Sequence, residues 1–173
     1  TLEECDVENA VRAVKVVGNS ALSANPQLIN VEYDITGTSF INNHVHFTQY
    51  YQANSQSQIF GNKFLSLGSL LPPYQQHQRT RKAVDLINTN NVLIGGNADQ
   101  PNFFHEADFG VFAINSNASV THNSFYQLVS PLDIDIIDMD GILMLNSVGI
   151  YAAVSVKGEL YNMNASHNDF LSN

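Results

Sequence analysis

The sequence predicts an all-β solenoid, a protein in which one short structural unit repeats along an axis. The main observation is that the sequence motif Asn117–Phe125 recurs almost unchanged as Asn162–Phe170, with looser copies at Gln56–Phe64 and Glu32–Phe40. A second observation is that almost no segment carries the 3.6-residue apolar stripe of an amphipathic helix. A third is that charged residues make up only 13% of the chain, about half of the usual share. Amide and hydroxyl side chains take their place.

The repeats divide the chain into coils of similar length. Each copy of the motif contains a strand with alternating apolar and polar residues, a small polar residue at a corner, one spacer residue and then, in the clearest copies, phenylalanine. Taking the residue two places after the corner as a marker gives Phe40, Phe64, Asp99, Phe125, Val148 and Phe170. One step between markers is longer, and it contains a Pro-rich loop excursion at about residues 66–82, which a strand would not tolerate. We therefore expect one domain over residues 1–173.

Three other strands match one another position for position: Ala83–Asn88, Gly110–Asn115 and Gly149–Val154. The pattern predicts that they occupy equivalent places in different coils, with a weaker coil at Ile142–Val148 between the last two. No capping helix is visible at either end, and the ends of solenoids need caps. We therefore expect a fragment of a longer protein, or ends that partners cover.

Residues 1–31 allow two registers. In one, Val14 and Val16 face the same way from a strand at Val11–Val17; in the other, the corner lies at Gly18-Asn19. Both stay open, because a slip of one residue reverses every side chain. From Val31 onward the sequence repeat has one clear register.

The repeats of pectate-lyase-like proteins resemble motifs of this chain such as Asn91-Val-Leu-Ile-Gly-Gly-Asn97, together with Gly-Val-Phe and Gly-Ile-Tyr. The resemblance covers about residues 31–173 and implies a right-handed parallel β-helix of about six coils. It also implies an internal stack of Phe40, Phe64, Phe125 and Phe170. At one corner it implies an asparagine ladder made of Asn62, Asn97, Asn123, Asn146 and Asn168. Function is left open, because enzymes, adhesins and phage tailspikes share such repeats.

The net charge of −9 argues against nucleic acid and anionic membranes as partners. No apolar run approaches the ~18–20 residues that span a bilayer, so we expect no membrane insertion. Cys5 is the lone cysteine and leaves the redox compartment undetermined. We expect a secreted or cell-surface protein whose partners are a polysaccharide or neighbouring domains of the same protein.

An acidic cluster contains Asp133, Asp135, Asp138 and Asp140. Carboxylates that share a strand face can bind calcium. Two of them, Asp135 and Asp138, are candidates for acid–base catalysis of glycoside cleavage. The third interpretation is a solvated strand face whose isoleucines point inward. All three stay open, and no cofactor other than this calcium ion is expected.

A basic cluster lies in the loop excursion and contains His77, Arg79, Arg81 and Lys82. Arginines bind carboxylates in a bidentate manner, so the cluster can bind an acidic sugar. The alternative is a solvated loop without a ligand. The enzymes of the family place an Arg or Lys beside a calcium-binding carboxylate cluster, and no such arrangement can be assigned in this sequence.

The histidines give no metal signature. His44 and His46 are two residues apart and can share a strand face, but no third ligand follows in the sequence. His122 and His167 occupy equivalent positions in two copies of the motif, which predicts that they stack on the outside of the solenoid.

The repeats predict an intact scaffold, and no transferable catalytic set accompanies it. The sequence therefore favours a non-catalytic structural or carbohydrate-binding module, with Tyr50, Tyr51 and Tyr74 as a sparse platform for sugar rings. The alternative is a polysaccharide lyase or glycoside hydrolase that acts on an acidic polysaccharide.

Overall fold

The protein is built of strands and short loops. The structure, a computed structural model, describes residues 1–18, 32–52, 57–68, 70–72, 79–126, 136–137, 143–144, 148–154 and 161–171. Within these ranges every regular element is a β-strand. A helix long and apolar enough to cross a membrane is not found among them.

Most turns of the chain contribute three strands. The first coil contains β1 (Leu2–Glu3), β2 (Asp6–Glu8) and β3 (Arg12–Val17), and the second contains β4 (Asp34–Thr36), β5 (Ser39–Ile41) and β6 (Val45–Gln52). The third contains β7 (Gln58–Phe60), β8 (Lys63–Leu65) and β9 (Lys82–Thr89), and the fourth contains β10 (Val92–Gly95), β11 (Asn102–His105) and β12 (Phe109–Ile114). The fifth contains β13 (Ala118–Thr121), β14 (Asn123–Tyr126), the short strands β15 (Ile136–Ile137) and β16 (Leu143–Met144), and β17 (Val148–Ala153). The sixth contains β18 (Met163–Ser166) and β19 (Asp169–Leu171).

Equivalent strands of successive coils form three parallel sheets. Sheet A has the order β1-β4-β7-β10-β13-β18, sheet B has β2-β5-β8-β11-β14-β19, and sheet C has β3-β6-β9-β12-β17. The chain leaves each strand, passes through the other two sheets and returns beside its starting point, and such parallel crossovers are right-handed. The prediction of an all-β, right-handed parallel β-helix of about six coils is confirmed.

Phenylalanine rings stack along the inside of sheet B. The ring centroids of Phe40 and Phe64 are 5.1 Å apart, and those of Phe64 and Phe104 are 4.8 Å apart. The stack continues to Phe125 at 4.6 Å and to Phe170 at 5.0 Å. Four of these rings were predicted from the repeat, and Phe104 was missed. The stack follows from the parallel register, which places the same position of each coil above the last.

An asparagine ladder runs along the corner between sheets A and B. Asn62 Nδ2 donates to Asn102 Oδ1 at 3.1 Å, Asn102 Nδ2 donates to Asn123 Oδ1 at 2.8 Å, and Asn123 Nδ2 donates to Asn168 Oδ1 at 2.9 Å. Each Nδ2 also donates to a main-chain carbonyl of a neighbouring coil. Thr38 takes the ladder position of the second coil, and its backbone N–H donates to Asn62 Oδ1. The predictions for Asn62, Asn123 and Asn168 are confirmed.

The prediction for the fourth coil is wrong. Asn97 and Asp99 are exposed in the loop between β10 and β11. Asn102 and Phe104 occupy the ladder and the stack instead. Gly95-Gly96-Asn97 has corner composition, but the chain adds residues 96–101 before it returns to the ladder, and lengthening a loop costs little free energy. Asn146, the remaining predicted ladder residue, lies outside the described residues.

The predicted weaker coil at Ile142–Val148 is also wrong. Leu143–Met144 pairs antiparallel with Ile136–Ile137, apart from the three large sheets. Val148 begins β17, the sheet C strand of the fifth coil. The connection between β15 and β16 contains Asp140-Gly141, a dipeptide that favours hairpin turns, so the sequence does carry a signal for this hairpin.

In four of the five ladder coils, the residue before the ladder position has a left-handed backbone; the exception is Pro101 before Asn102, because proline cannot adopt a positive φ. The positive φ is 60° at Gly37, 67° at Gly61, 55° at His122 and 54° at His167. Glycine adopts this conformation without steric cost, whereas histidine needs the corner to hold it. The two histidine rings stack with centroids 4.9 Å apart, which confirms their predicted equivalence.

The N-terminal register is now determined. β1, β2 and β3 form a complete first coil, and Val14 pairs in register with Phe47 of β6. Val14 and Val16 lie on one face of β3, as the first of the two registers predicted, and the structure shows that this face packs against the hydrophobic core. Asn19, the corner of the other register, lies outside the described residues.

His46 is a core residue rather than a metal ligand. Its ring is fully buried beside the stacked rings of Phe40 and Phe64, with centroid distances of 6.0 and 5.8 Å, and its Nδ1 lies 3.0 Å from Asn43 Nδ2. His44 precedes β6 and is only half-buried, so the predicted pair does not form one metal-binding face. Burial lowers the pKa of His46 to about 3.

Acid should destabilise the fold through His46. Because the folded pKa is about 3 and the ordinary pKa of histidine is 6.5, the unfolded chain binds the proton first. The free energy of unfolding should therefore fall by about 1.4 kcal/mol per pH unit as the pH drops below about 6.5. Urea unfolding measured at several pH values checks this. His46→Gln should remove this part of the slope, while the exposed control His167→Gln should keep it. Equal slopes in both variants would show that His46 is not the origin.

Candidate functional site

The outer face of sheet C collects polar side chains from several coils. In β9, Ala83 and Val84 both face the core, so Lys82 and Asp85 both point outward and contact each other. The same pattern in β12 lets Phe109 and Phe112 meet on the outside. Simple strand alternation would separate both pairs. Strand register then aligns these positions with Arg12, Lys15, Thr48 and Tyr151 of the neighbouring strands.

Asp85 is the centre of this face. Its carboxylate is buried and accepts a hydrogen bond from the Tyr50 hydroxyl at 2.8 Å through Oδ2. Its Oδ1 lies 2.9 Å from Lys82 Nζ. The same ammonium lies 3.7 Å from the centroid of the Phe112 ring, a cation–π contact. A buried carboxylate needs such partners, because an unpaired buried charge is strongly destabilising.

The Tyr50 hydroxyl stays protonated at neutral pH. Partial burial raises its pKa to about 12, and the charge of Asp85 and its hydrogen bond add to the increase, while Arg12 opposes it. A general base works best with a pKa near the working pH. Tyr50 is therefore a hydrogen-bond donor at this site, and a poor base.

Aromatic rings continue the face towards the fifth coil. Phe112 and Tyr151 stack with centroids 5.0 Å apart, and Phe109 meets Phe112 edge-on at 5.1 Å. Phe109 and Phe112 are buried, whereas Tyr151 is half-buried. These rings form a second apolar cluster outside the central core, and the polar, more accessible part of the face belongs to the first three coils.

Positive charge is concentrated on this part of the molecule. Of the seven Lys and Arg residues in the chain, five lie on β3, on β9 or directly before β9. These five are Arg12, Lys15, Arg79, Arg81 and Lys82. The chain as a whole has a net charge of −9, so its few basic residues are unevenly distributed and gather on or beside this face.

The predicted basic cluster is divided between two carboxylates. Arg79 is buried, and its Nε lies 2.7 Å from Asp108 Oδ1. Arg81 Nη1 lies 3.3 Å from Asp108 Oδ2. Lys82 belongs to β9 and pairs with Asp85. The structure therefore brings Arg79 and Arg81 together at Asp108 and places Lys82 at Asp85, with Arg81 and Lys82 partly accessible. His77, the fourth, lies outside the described residues.

Asp133, Asp135, Asp138 and Asp140 also lie outside the described residues. The calcium site and the acid–base roles of Asp135 and Asp138 stay predictions. Within the described ranges, no three His, Cys, Asp or Glu side chains form a group that could hold a metal ion.

Tyr50 and Tyr51 form an edge-on pair at the end of the same face. Their ring centroids are 6.4 Å apart, and Tyr51 is 41% exposed. Tyr51 has a positive φ of 57°, which breaks the alternation and leaves its ring accessible. The third residue of the predicted platform, Tyr74, lies outside the described residues.

Sequence reasoning missed Arg12, Lys15 and Asp85 as members of the site. The available signal was the match of Ala83–Asn88 with the other sheet C strands, which places Lys82 and Asp85 in this sheet. The inward pairing of Ala83 and Val84, which brings the two charges together, leaves no mark in a periodicity count.

Three parallel sheets around a stacked core, with a basic outer face on one sheet, define a right-handed parallel β-helix protein. No protein-family model matches the chain, and no curated protein matches it. Among solved structures, the chain is similar to the crystal structure of the periplasmic alginate epimerase AlgG, with a TM-score of 0.50 and 13% sequence identity. The similarity covers 98% of this chain and 39% of that chain. This chain thus spans well under half of the epimerase structure, and at this identity the similarity shows the fold.

Proposed function

We propose that this chain is a non-catalytic carbohydrate-binding module that holds an acidic polysaccharide along the outer face of sheet C. The observation that carries the proposal is that Arg12, Lys15 and Lys82 share this face of an acidic protein, with Arg81 partly accessible directly before β9. Arg12 and Lys82 occupy the same row two strands apart, a separation of about 10 Å. Cations repeated along the axis suit the repeated carboxylates of a linear acidic glycan.

The remaining groups of the face complete such a site. Lys15 is exposed, and the Tyr50 hydroxyl can share its hydrogen bonds with a sugar hydroxyl. The exposed ring of Tyr51 offers an apolar surface to a sugar ring. The rigid, stacked coils hold these side chains in place, which reduces the entropy lost on binding.

The fold similarity to a periplasmic alginate epimerase supports a carbohydrate-related role and a location outside the cytoplasm. We propose a secreted or cell-surface protein, with neighbouring domains of the same protein as further partners. We further propose that calcium is the one candidate ion of this module and that it binds at Asp133, Asp135, Asp138 and Asp140.

A polysaccharide lyase or glycoside hydrolase is the second candidate function. The contact of Tyr50, Asp85 and Lys82 favours it, because such groups can transfer protons. Two observations favour binding without turnover: the pKa of Tyr50 is raised to about 12, and the Lys82 ammonium is held by Asp85 and the Phe112 ring.

Removing exposed charge from the face should weaken binding of an acidic glycan. For Arg12→Gln/Lys15→Gln, we expect the dissociation constant for hexamers of mannuronate or galacturonate to rise about tenfold. Each exposed ion pair contributes up to ~1 kcal/mol, and ~1.4 kcal/mol corresponds to a factor of ten. Titration calorimetry at low salt measures it, and added salt should weaken binding of the unmodified chain.

The matched control is Lys63→Gln, which removes one exposed lysine from sheet B, compared with Lys15→Gln on sheet C. Only Lys15→Gln should weaken binding. Equal effects of the two variants would mean that net charge, and not this face, attracts the polymer. The same mixtures are followed by ultraviolet absorbance for an unsaturated uronate and by a reducing-end assay. Sustained product formation would replace the binding proposal with the enzyme.

A further inference from the structure

We infer a second binding site, for an uncharged saccharide, in a groove of about 420 Å³ on the outside of sheet A. The groove crosses the beginnings of β10, β13 and β18, in the fourth to sixth coils. Its lining includes the side chains of Asn91, Leu93, Asn117, Ser119, Asn162 and Asn164. None of them belongs to the outer face of sheet C, so this site is separate from the one proposed above.

The groove repeats along the solenoid axis. Leu93, Ser119 and Asn164 are in register on adjacent strands, and adjacent strands lie about 4.8 Å apart. Asn117 and Asn162 each directly precede a strand and lead into the same surface. One sugar unit of an extended glycan is similar in length to this coil-to-coil spacing. Polar groups at this repeat can therefore contact successive sugar units in the same way.

Part of the groove is held in place before any ligand binds. Asn117 Nδ2 donates to Asn90 Oδ1, and Asn117 Oδ1 accepts a hydrogen bond from the backbone N–H of Asn162. This second set of stacked asparagines lies at the corner between sheets C and A. Because Asn117 is already ordered, binding loses less side-chain entropy there. Asn162 and Asn164 are exposed and face solvent.

The lining chemistry selects an uncharged, hydroxyl-rich ligand. Among the described residues, no Asp, Glu, Lys or Arg lines the groove, so this part of the lining offers a charged polymer no ion pair. A carboxamide both donates and accepts hydrogen bonds, and a serine hydroxyl does the same, which matches sugar hydroxyls. Leu93 adds an apolar patch for the C–H groups of a sugar ring. The basic face of sheet C selects the opposite ligand class, so the two sites bind different parts of a mixed polysaccharide or different chains.

The test is titration calorimetry of the 173-residue chain with cellohexaose, mannohexaose and xylohexaose. We expect at least one hexasaccharide to bind. Ser119→Tyr, which fills the groove, should weaken binding at least ~tenfold, a loss of about 1.4 kcal/mol. Asn164→Ala removes one exposed amide and should weaken it about fivefold, as expected for the loss of one hydrogen bond. The matched control is Ser124→Tyr, the same replacement on the outer face of sheet B.

Three outcomes would overturn the inference: no binding of any of the three hexasaccharides, equal binding by Ser119→Tyr and Ser124→Tyr, or unchanged binding by Asn164→Ala. If Ser119→Tyr does not fold, the binding measured for Asn164→Ala decides between the outcomes. Failure here is distinguishable from failure of the proposed function, because Ser119→Tyr should leave binding of the acidic hexamers unchanged. Conversely, Arg12→Gln/Lys15→Gln should leave binding of the neutral hexasaccharide unchanged.

Discussion

Replacing Phe104 by alanine should lower the free energy of unfolding by about 4 kcal/mol, the usual range for deleting a buried phenylalanine ring. The ring is fully buried and stacks on both sides, against Phe64 at 4.8 Å and Phe125 at 4.6 Å. Its removal leaves a cavity between two coils that main-chain hydrogen bonds hold at a set distance, so the neighbours can relax little. Urea unfolding followed by circular dichroism measures the change.

Phe170→Ala is the matched control for this prediction. Phe170 belongs to the same stack, with its ring 5.0 Å from Phe125, but it is 61% exposed at the last described coil. It buries little area and leaves no enclosed cavity, so we expect a loss of at most about 1 kcal/mol. Losses of similar size in the two variants would contradict the view that stacking between coils supplies the core stability.

Asn102→Ala should lower the free energy of unfolding by about 3 kcal/mol. Asn102 Oδ1 accepts hydrogen bonds from Asn62 N at 3.0 Å and Asn62 Nδ2 at 3.1 Å, and Asn102 Nδ2 donates to Ile59 O at 2.7 Å. Alanine leaves these buried groups without their partner, and each unsatisfied buried group costs about 1–3 kcal/mol. Urea unfolding at neutral pH measures the loss.

The comparison variant is Asn97→Ala. Asn97 was the ladder residue predicted from the repeat, but it is exposed, and its Oδ1 accepts one local hydrogen bond from the Asp99 backbone. Its replacement should change the free energy of unfolding by no more than about 0.5 kcal/mol. If Asn97→Ala were the more destabilising of the two, the ladder would run through Asn97 as the sequence pattern suggested.

Phe104 and Asn102 both stabilise the fold through contacts between neighbouring coils. In a solenoid, stability is approximately a sum over neighbouring coils, so each stacked ring and each ladder amide acts on the two interfaces beside it. The outer faces are then free to vary. Sheet C carries basic groups and sheet A carries amides, and neither set is needed to close the core.

The sequence predicted most of the ladder and the stack because both are periodic and local. Gly61-Asn62, His122-Asn123 and His167-Asn168 each place a left-handed residue before a ladder asparagine, and the phenylalanine follows two residues after it. The coil interior is narrow, so few residue types fit these positions. The repeat is therefore visible in the residues themselves.

The fourth coil shows where this reasoning fails. The sequence separation between ladder residues is 24 from Thr38 to Asn62, 40 to Asn102, 21 to Asn123 and 45 to Asn168. Loops of very different length thus close onto the same corner, because loop entropy rises only slowly with length. Gly95-Gly96-Asn97 satisfies the local rules for a corner, and only the hydrogen bonds across coils decide that Asn102 fills the position.

By itself, then, the sequence determined the all-β solenoid, the inward stack of phenylalanines and the basic character of Lys82 and its neighbours. Only the tertiary structure decided which distant residues share a face. Arg12, Tyr50, Lys82 and Asp85 come from three coils, and they meet because Ala83 and Val84 both turn inward and because the strand register is parallel. Stacking is encoded locally in each repeat, whereas a site assembled across coils depends on how every intervening loop closes.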